Sequence, residues 1–446
     1  MTSGGPPAAG TEPVDRGALD RRAAALAVPA LGALAAEPLY VLADTIIVGH
    51  LGKVPLAGLA VASSTLTTIA WLCGSLNQVT TTRVAQSRGA QDPAARATAV
   101  RTALWVVVGL AAATLAVLVG LAPLIARLYG PEAPVRAAAV TYLRAAAFGM
   151  PALFFTFVAV GYVNGMGRTR RVLTVVAIAN ALNLVLEVVF VYTFHWGLAG
   201  SAWGTVIAQW TAAALLFVDV RGAGAVMPWH GVTGPDLRSF LSDATRFTVR
   251  TLCIVGVFAF AVATAARLGT RQLAAHQIGE KLFNLLALCL DALAVAAQVL
   301  VGEAMGAGDV DDARRVTRHL VGRSLLVGLG LGGAVAALSG VLPLPFTTAG
   351  DVRHSATAVL LLLGLLLVPG AVAFLYDGVC LGLGAYAFLQ RQAVGATIVM
   401  VPVYVVLLAR HSLGLTFLWA GLIVWMCARA AIQHVWFRRG RWEPAR

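Results

Sequence analysis

Apolar stretches of 20 or more residues follow one another along almost the whole sequence, separated by short segments that carry glycine, proline or charge. A helix of roughly 20 apolar residues crosses the ~30 Å hydrocarbon core of a bilayer. Charged residues make up 12% of the chain, about half the share that is usual in soluble domains. The 446 residues therefore lack the polar surface that soluble domains need, and we predict an all-α polytopic membrane protein.

Twelve transmembrane helices are predicted between the short segments that carry glycine, proline or charge. They cover residues 23–48, 57–81, 98–125, 138–163, 172–194, 198–218, 245–266, 274–300, 317–344, 355–382, 392–409 and 413–434. The predicted domains are a cytoplasmic polar tail over 1–22, a six-helix bundle over 23–218, a cytoplasmic linker over 219–244, a second six-helix bundle over 245–434 and a cytoplasmic basic tail over 435–446.

The basic residues indicate how the helices are oriented in the membrane. Lys and Arg total 33 against 20 acidic residues, and arginines cluster in the short segments between the apolar stretches. The clusters are Arg83/Arg88/Arg96, Arg168/Arg170/Arg171, Arg314/Arg315/Arg318 and Arg438/Arg439/Arg441. The positive-inside rule places these segments and both termini in the cytoplasm. No stacking aromatic residues alternate with the arginines, so we expect no nucleic-acid partner.

The two halves of the chain repeat each other at an offset of 217 residues. This offset aligns the segment that begins at Leu56 with the one that begins at Leu273. The same offset aligns Gly161-x-x-x-Gly165-x-Gly167 with Gly378-x-x-x-Gly382-x-Gly384. With six helices in each half, both repeats begin on the same side of the membrane, a layout found in secondary transporters. We therefore predict two pseudo-symmetric six-helix bundles that face a central cleft.

The first transmembrane helix carries two acidic residues, although a charge at mid-bilayer costs roughly 2.5–3.5 kcal/mol. Glu37 and Asp44 are seven residues apart and lie on one helical face, with Tyr40 between them. Pro38 removes a backbone hydrogen bond and predicts a hinge. We predict that Asp44 binds a proton or a cation; the alternative is a buried acid that hydrogen-bonds a neighbouring helix.

A second polar stripe lies on the fifth transmembrane helix. Asn180, Asn183 and Glu187 follow the spacing i, i+3, i+7, and Thr205 on the next helix can complete the set. Amide groups beside a carboxyl group can hold its protonated form or join it as oxygen ligands of a small cation. The alternative interpretation is hydrogen bonding between helices.

The second half carries its acidic residues at other positions. Asn284 and Asp291 share a face of the eighth helix, and Asp377 directly precedes Gly378 in the tenth. The 217-residue offset duplicates none of the acidic residues that lie within the predicted transmembrane helices of the first half. We predict separate tasks, with the coupling ion bound in one bundle and substrate in the other. The candidates for a substrate or second site are Glu37, Tyr40, Asn284, Asp291 and Asp377.

Several classes of site are not supported by the sequence. The two lysines, Lys53 and Lys281, do not follow a GxxxxG loop, so we expect no ATP-binding P-loop. The five cysteines are far apart without metal-ligand spacing, so we expect neither a metal site nor a cofactor beyond the coupling ion. An intramembrane enzyme and a passive channel remain the competing classes, without an evident catalytic pair or selectivity filter.

Five motifs resemble a known family. EPLYVLADTIIVGHLG (37–52) and PLAGLAVAS (55–63) resemble the first helix and its exit in the multidrug and toxic compound extrusion (MATE) family. LAAHQI from Leu273, DALAVAAQVLVGEAMGAGD from Asp291 and DGVCLGLG from Asp377 resemble its DNA-damage-inducible protein F branch. The resemblance implies twelve helices in two bundles and efflux of organic compounds in exchange for H⁺ or Na⁺.

The resemblance also implies roles for individual residues. Asp44 matches the proposed protonation site, and Asn183, Glu187 and Thr205 match the other members of a polar cluster in the first bundle. Asp377 matches an acid involved in ion or substrate handling. The family usually has Asp where this chain has Glu187, a departure that suits proton chemistry better than a tight Na⁺ site.

We predict a secondary active antiporter, not an enzyme, that acts as a monomer without ATP. It would export organic compounds such as lipophilic cations in exchange for H⁺ or Na⁺ across a bacterial plasma membrane, as the Arg-over-Lys and Ala/Gly bias of a GC-rich genome indicates. The alternatives are an exporter of one endogenous metabolite or of a lipid-linked substrate, and an intramembrane enzyme.

Overall fold

The computed structural model describes residues 16–130, 132–222, 224, 231–440 and 442, without the side chain at 411, and this part of the chain contains helices and no β-strand. The first half forms α1 (Arg16–Gly49), α2 (Lys53–Cys73), α3 (Ser75–Gly89), α4 (Pro93–Gly120), α5 (Ala122–Leu128), α6 (Ala133–Ala147), α7 (Met150–Gly165), α8 (Thr169–Val188), a π-helical turn (Val189–Thr193) and α9 (Gly197–Arg221). The second half forms α10 (Gly234–Arg267), α11 (Thr270–Gly306), α12 (Val310–Ala337), α13 (Gly350–Gly382), α14 (Tyr386–Ala409), a 3₁₀ turn (His411–Leu413) and α15 (Gly414–Arg438).

Twelve crossings of a membrane can be assigned within the described residues. Eleven helical segments are long and apolar enough to span a bilayer, with α2 and α3 together forming one of them. The twelfth crossing is the pair α6 and α7, which bends by 51° at its break. The prediction of an all-α polytopic protein with twelve transmembrane helices is confirmed.

The sequence repeat corresponds to a repeat of helix contacts. A Cβ atom placed on Gly165 of α7 would lie 2.8 Å from the carbonyl oxygen of Thr81 on α3. A Cβ atom on Gly382 of α13 would lie 2.7 Å from the carbonyl oxygen of Gln298 on α11. Both members of the second pair are 217 residues beyond those of the first. The same relation holds one turn earlier, for Gly161 against Asn77 and Gly378 against Ala294.

The two halves meet where α3 crosses α11. A Cβ atom on Gly89 would overlap the carbonyl oxygen of Glu303, and one on Gly306 would overlap that of Gln86. These two contacts are equivalent at the offset of 217 residues, so a pseudo-twofold axis passes between the two helices. This arrangement confirms two pseudo-symmetric bundles. One apolar cluster lies mostly in the first bundle and one lies in the second, and a third joins α1 to α11, α12 and α13.

Hydrogen bonds join the bundles at the end where α3 and α11 terminate. They run from Thr82 Oγ1 to the Leu381 oxygen (2.9 Å), Gln86 Nε2 to the Gly382 oxygen (2.9 Å), Gln298 Nε2 to the Gln78 oxygen (3.0 Å) and the Tyr386 hydroxyl to Thr82 Oγ1 (2.9 Å). Arg22 and Arg88 reach Glu303 at the same end, at 3.1 and 3.7 Å. At the opposite end, near residues 49–53 and 267–270, the described residues form no hydrogen bond between the bundles. We infer from these contacts that the cleft is closed at the end where α3 and α11 terminate and open at the opposite end.

The described helices extend into the predicted linker and into both predicted tails. The predicted linker over 219–244 is helical at both ends, since α9 continues to Arg221 and α10 begins at Gly234. Pro235 does not break α10 because it occupies the first turn, where proline is favoured, behind a capping box formed by Thr233 and Asp236. The predicted tail over 1–22 is helical from residue 16, and the predicted tail over 435–446 is helical to residue 438. The remaining parts of these segments at 1–15, 223, 225–230, 441 and 443–446 lie outside the described residues.

Replacing Gly306 by Leu is expected to separate the two bundles at their closed end, because the new side chain would overlap the backbone of Gln86. Overpacking of this kind typically costs about 1–3 kcal/mol. We expect spin labels at Ala94 and Arg318 to move apart in pulsed-EPR measurements. Gly322→Leu is the control, because a Cβ atom at Gly322 meets nothing within 4 Å. Identical distance distributions for both variants would contradict this account of the crossing.

Candidate functional site

Helices α1, α8 and α9 bring five of the predicted residues into one cluster in the first bundle. Asp44 is 5% exposed and accepts a hydrogen bond of 2.7 Å from Ser201 Oγ. The Thr205 hydroxyl lies 2.9 Å from the Tyr40 hydroxyl and 3.1 Å from Asn183 Nδ2. The cluster consists of Tyr40, Asp44, Asn183, Glu187 and Thr205, with Tyr142 and Ser201 as additional members.

The two carboxyl groups of this cluster are buried side by side. Glu187 is completely buried and has Asp44 and Ser201 as its polar neighbours. Neither Glu187 oxygen, nor Asn183 Oδ1, has a hydrogen-bond partner among the described residues. Among the described residues, no basic side chain forms an ion pair with the carboxyl group of Asp44 or of Glu187. Two adjacent buried carboxyl groups cannot both ionise without a large cost, so this cluster requires a proton or a cation.

Close helix packing positions Glu187 against α9. A Cβ atom on Gly204 would lie 3.2 Å from the backbone nitrogen of Glu187, so the small residue lets α9 approach α8. The π-helical turn begins two residues after Glu187, and such turns occur frequently at functional sites. In that turn the Tyr192 hydroxyl donates to the carbonyl oxygen of Ile47, at 2.9 Å. These contacts hold the ends of α1, α8 and α9 together around the carboxyl pair.

Three predicted residues lie elsewhere on or against α1. Asn180 Nδ2 donates to the carbonyl oxygen of Ala36 at 3.2 Å, so this side chain ties α8 to α1 instead of joining the carboxyl cluster. Glu37 and Pro38 are exposed. Helix α1 continues without interruption through Pro38 and also through Pro29. The hinge at Pro38 stays a prediction.

The second bundle holds a different cluster around Asp377. This carboxyl group is 4% exposed and accepts hydrogen bonds from Arg429 Nη2 at 2.7 Å and Gln433 Nε2 at 2.6 Å. It also pairs with Arg250, and Asp291 is an ionisable neighbour of the same group. The two acidic and two basic side chains balance one another, whereas the first bundle has two acidic groups and no basic partner.

The sequence did not single out Arg429 and Gln433, which contribute most of the donors to Asp377. A signal was present in Arg429, because an arginine within an apolar helix requires a partner. Asn284 is exposed on α11 and has no hydrogen bond within the described chain. It therefore does not join the Asp377 cluster, although Asp291 does.

The twelve helices in two bundles around a cleft, with buried acidic groups, define a membrane transporter fold. The chain belongs to the MatE family, which matches residues 29–189 and 248–417. This assignment confirms the MATE resemblance of the motifs, and members of this family are transporters of drugs and toxic compounds, not enzymes.

The chain is similar to several named relatives. It is 29% identical over 440 residues to Protein DETOXIFICATION 44, chloroplastic, of Arabidopsis thaliana, covering 94% of this chain and 82% of that protein. It is 28% identical over 436 residues to DNA damage-inducible protein F of Escherichia coli (strain K12), covering 94% and 93%. Among solved structures, it matches MATE in the bent conformation (TM-score 0.87, 20% identity, 95% and 96% covered) and MATE in the straight conformation (TM-score 0.82, 20% identity, 94% and 96% covered).

Proposed function

We propose that the protein exports organic compounds in exchange for protons, and that Asp44 and Glu187 carry the proton. The observation that supports this most directly is the charge balance of the two bundles. The carboxyl pair in the first bundle has no basic partner among the described residues, while Asp377 pairs with Arg250 and Arg429. A proton supplies the missing positive charge at the carboxyl pair and can leave again.

The closed end of the cleft supports a direction for this exchange. Arg22, Arg83 and Arg88 lie at that end, and the positive-inside rule assigns such arginines to the cytoplasm. The open end then faces outward, and both termini are cytoplasmic. In the proposed cycle, a proton from outside neutralises Asp44, α1 bends at Pro38, and substrate leaves. Coupling requires that proton and substrate differ in their affinity for the two states.

The buried acidic groups in an apolar interior favour lipophilic cations as substrates. We place the protein in a bacterial plasma membrane, where it acts as a monomer driven by an ion gradient instead of ATP. The domain division at the linker between α9 and α10 belongs to the same proposal. Each bundle then moves as a unit.

Sodium is the second candidate for the coupling ion. Three buried oxygens without a hydrogen-bond donor, Asn183 Oδ1 and both carboxyl oxygens of Glu187, lie in the same cluster. Oxygen atoms of this kind can coordinate a small cation. Proteoliposomes loaded with ethidium and given a proton gradient alone or a sodium gradient alone distinguish the two. We expect efflux with the proton gradient alone, and efflux only with sodium would overturn proton coupling.

Replacing Pro38 by Ala is expected to slow turnover at least tenfold. A proline in a helix interior disfavours the straight helix by about 3 kcal/mol, so its removal stabilises the straight form of α1 at the expense of the bent form. Ethidium efflux from proteoliposomes measures the turnover. Pro29→Ala is the matched control, because Pro29 lies in the same helix but in its buried half. Normal efflux by Pro38→Ala would contradict the hinge.

A further inference from the structure

An apolar groove runs along the outer surface of the first bundle, on the side of α9 that faces away from the carboxyl cluster. Its volume is about 730 Å³. The wall is aromatic at one end, where Phe148 stacks on Trp203 with ring centroids 5.9 Å apart. Trp210 Nε1 donates to the Phe148 oxygen at 3.0 Å, at the break between α6 and α7. The break between these two helices therefore contributes Phe148 to one wall of the groove.

The groove is somewhat longer than one leaflet of the hydrocarbon core. Its lining on α9 extends from Trp203 to Val218, which at 1.5 Å per residue is roughly 22 Å. One leaflet of the hydrocarbon core is roughly 15 Å thick. Five of the eight α9 side chains that line the groove are exposed, among them Trp210 (52%) and Val218 (68%), whereas Val206 is buried. The groove therefore faces the hydrocarbon of the bilayer along most of its length.

The other end of the groove is strongly basic. Arg171 lines it, and Arg168 and Arg171 share the carboxylate of Asp219 at 3.0 Å each. Arg170 and Arg221 are exposed, and neither pairs with a carboxylate of the described chain. Arg221 continues the groove-lining stripe of α9 one turn beyond Val218. Four arginines and one aspartate give this end of the apolar groove a net charge of +3.

We propose that this groove binds an anionic glycerophospholipid of the bilayer, with an acyl chain against Trp203 and Trp210 and the phosphate at Arg170, Arg171 and Arg221. Basic pockets between transmembrane helices bind anionic headgroups in this manner. A zwitterionic lipid would bring a choline group into the same positive field and bind less well. The lipid would rest against α9, whose opposite face carries Ser201 and Thr205 of the carboxyl cluster. The proposal is independent of which ion is coupled.

Native mass spectrometry of the full-length protein tests the headgroup. We expect phosphatidylglycerol to remain bound at concentrations where phosphatidylcholine does not. The double variant Arg170→Gln/Arg221→Gln should weaken phosphatidylglycerol binding roughly thirtyfold. Arg318→Gln/Arg391→Gln is the control, because it removes the same charge from exposed arginines of the second bundle. Equal retention of the two lipids by the unmodified protein would overturn the proposal, as would equal losses in the two double variants.

A second variant tests the groove itself. Ala214 is exposed and lines the groove, so Ala214→Trp fills the space that we assign to the acyl chain without disturbing the core. We expect this variant to lose the bound phosphatidylglycerol while all four arginines remain. Unchanged lipid binding by Ala214→Trp would overturn the proposal. A protein dimer that forms through this face and excludes lipid would also overturn it.

Discussion

Replacing Asp44 by Asn is expected to abolish transport driven by a proton gradient, down to the level of liposomes without protein. The amide has nearly the shape of the carboxyl group and can still accept the hydrogen bond from Ser201 Oγ. It cannot take up or release a proton near neutral pH. The variant therefore removes the exchangeable proton from the cluster while the packing of α1 against α8 and α9 is preserved.

The control for this variant is Asp92→Asn, the same chemical change at an exposed carboxyl group. Asp92 caps α4 by accepting from the Ala95 nitrogen at 2.9 Å, and asparagine caps helices equally well. Ethidium efflux from proteoliposomes with an imposed proton gradient measures both variants. Full gradient-dependent efflux by Asp44→Asn would contradict the role of the carboxyl pair.

Replacing Asp377 by Asn is expected to destabilise the second bundle by about 3–5 kcal/mol, the usual cost of removing one partner from a buried ion pair. The change leaves Arg250 and Arg429 in the protein interior with Asp291 as their remaining acidic neighbour. We expect a lower midpoint of thermal unfolding in detergent. The closed end of the cleft should also loosen, because Asp377 lies one turn from Leu381, which accepts the hydrogen bond of Thr82.

The double variant Asp377→Asn/Arg429→Met separates the charge effect from a packing effect. Removing the second member of the pair eliminates one uncompensated buried charge, so part of the lost stability should return. An unfolding midpoint for Asp377→Asn equal to that of the unmodified protein would contradict the assigned ion pairs. A double variant less stable than Asp377→Asn would contradict the role of charge.

The variants of the two bundles are expected to affect proton binding and substrate binding differently. Asp377→Asn should reduce transport through loss of structure or substrate contact, yet leave proton binding at Asp44 intact. Asp44→Asn should abolish proton binding at the carboxyl pair and leave the structure of the second bundle and its substrate contacts intact. Identical losses of proton binding and substrate binding in the two variants would contradict the division of tasks between the bundles.

The sequence predicted which residues share a helical face more reliably than which residues contact each other. Asn183 and Glu187 are four residues apart on α8, so their common face follows from helix geometry alone. The pairing of Asp377 with Arg429 depends on how α13 and α15 are rotated about their axes, which apolar periodicity in a membrane does not specify. The sequence did not predict the hydrogen bond from Ser201 to Asp44. Hydroxyl groups in apolar helices commonly bond to the backbone of their own helix, as Thr205 does at 3.1 Å.

The repeat was the most informative part of the sequence for the fold. Glycine occupies the aligned positions because the backbone of α7 approaches α3 closely and the backbone of α13 approaches α11 closely. This requirement is the same in both halves. The helix boundaries were less predictable where a polar segment is helical. Pro235 and the charged residues after it were interpreted as a linker, although a proline in the first turn and a capping box begin a helix there.

Proton release on substrate addition tests the central claim most directly. Ethidium is added to the purified protein in weakly buffered detergent solution, and the change in pH is recorded with a dye. If substrate and proton compete through Asp44 and Glu187, the unmodified protein will release about one proton per ethidium bound, and Asp44→Asn will bind ethidium without release. No proton release by the unmodified protein, or equal release by Asp44→Asn, would contradict the proposed exchange.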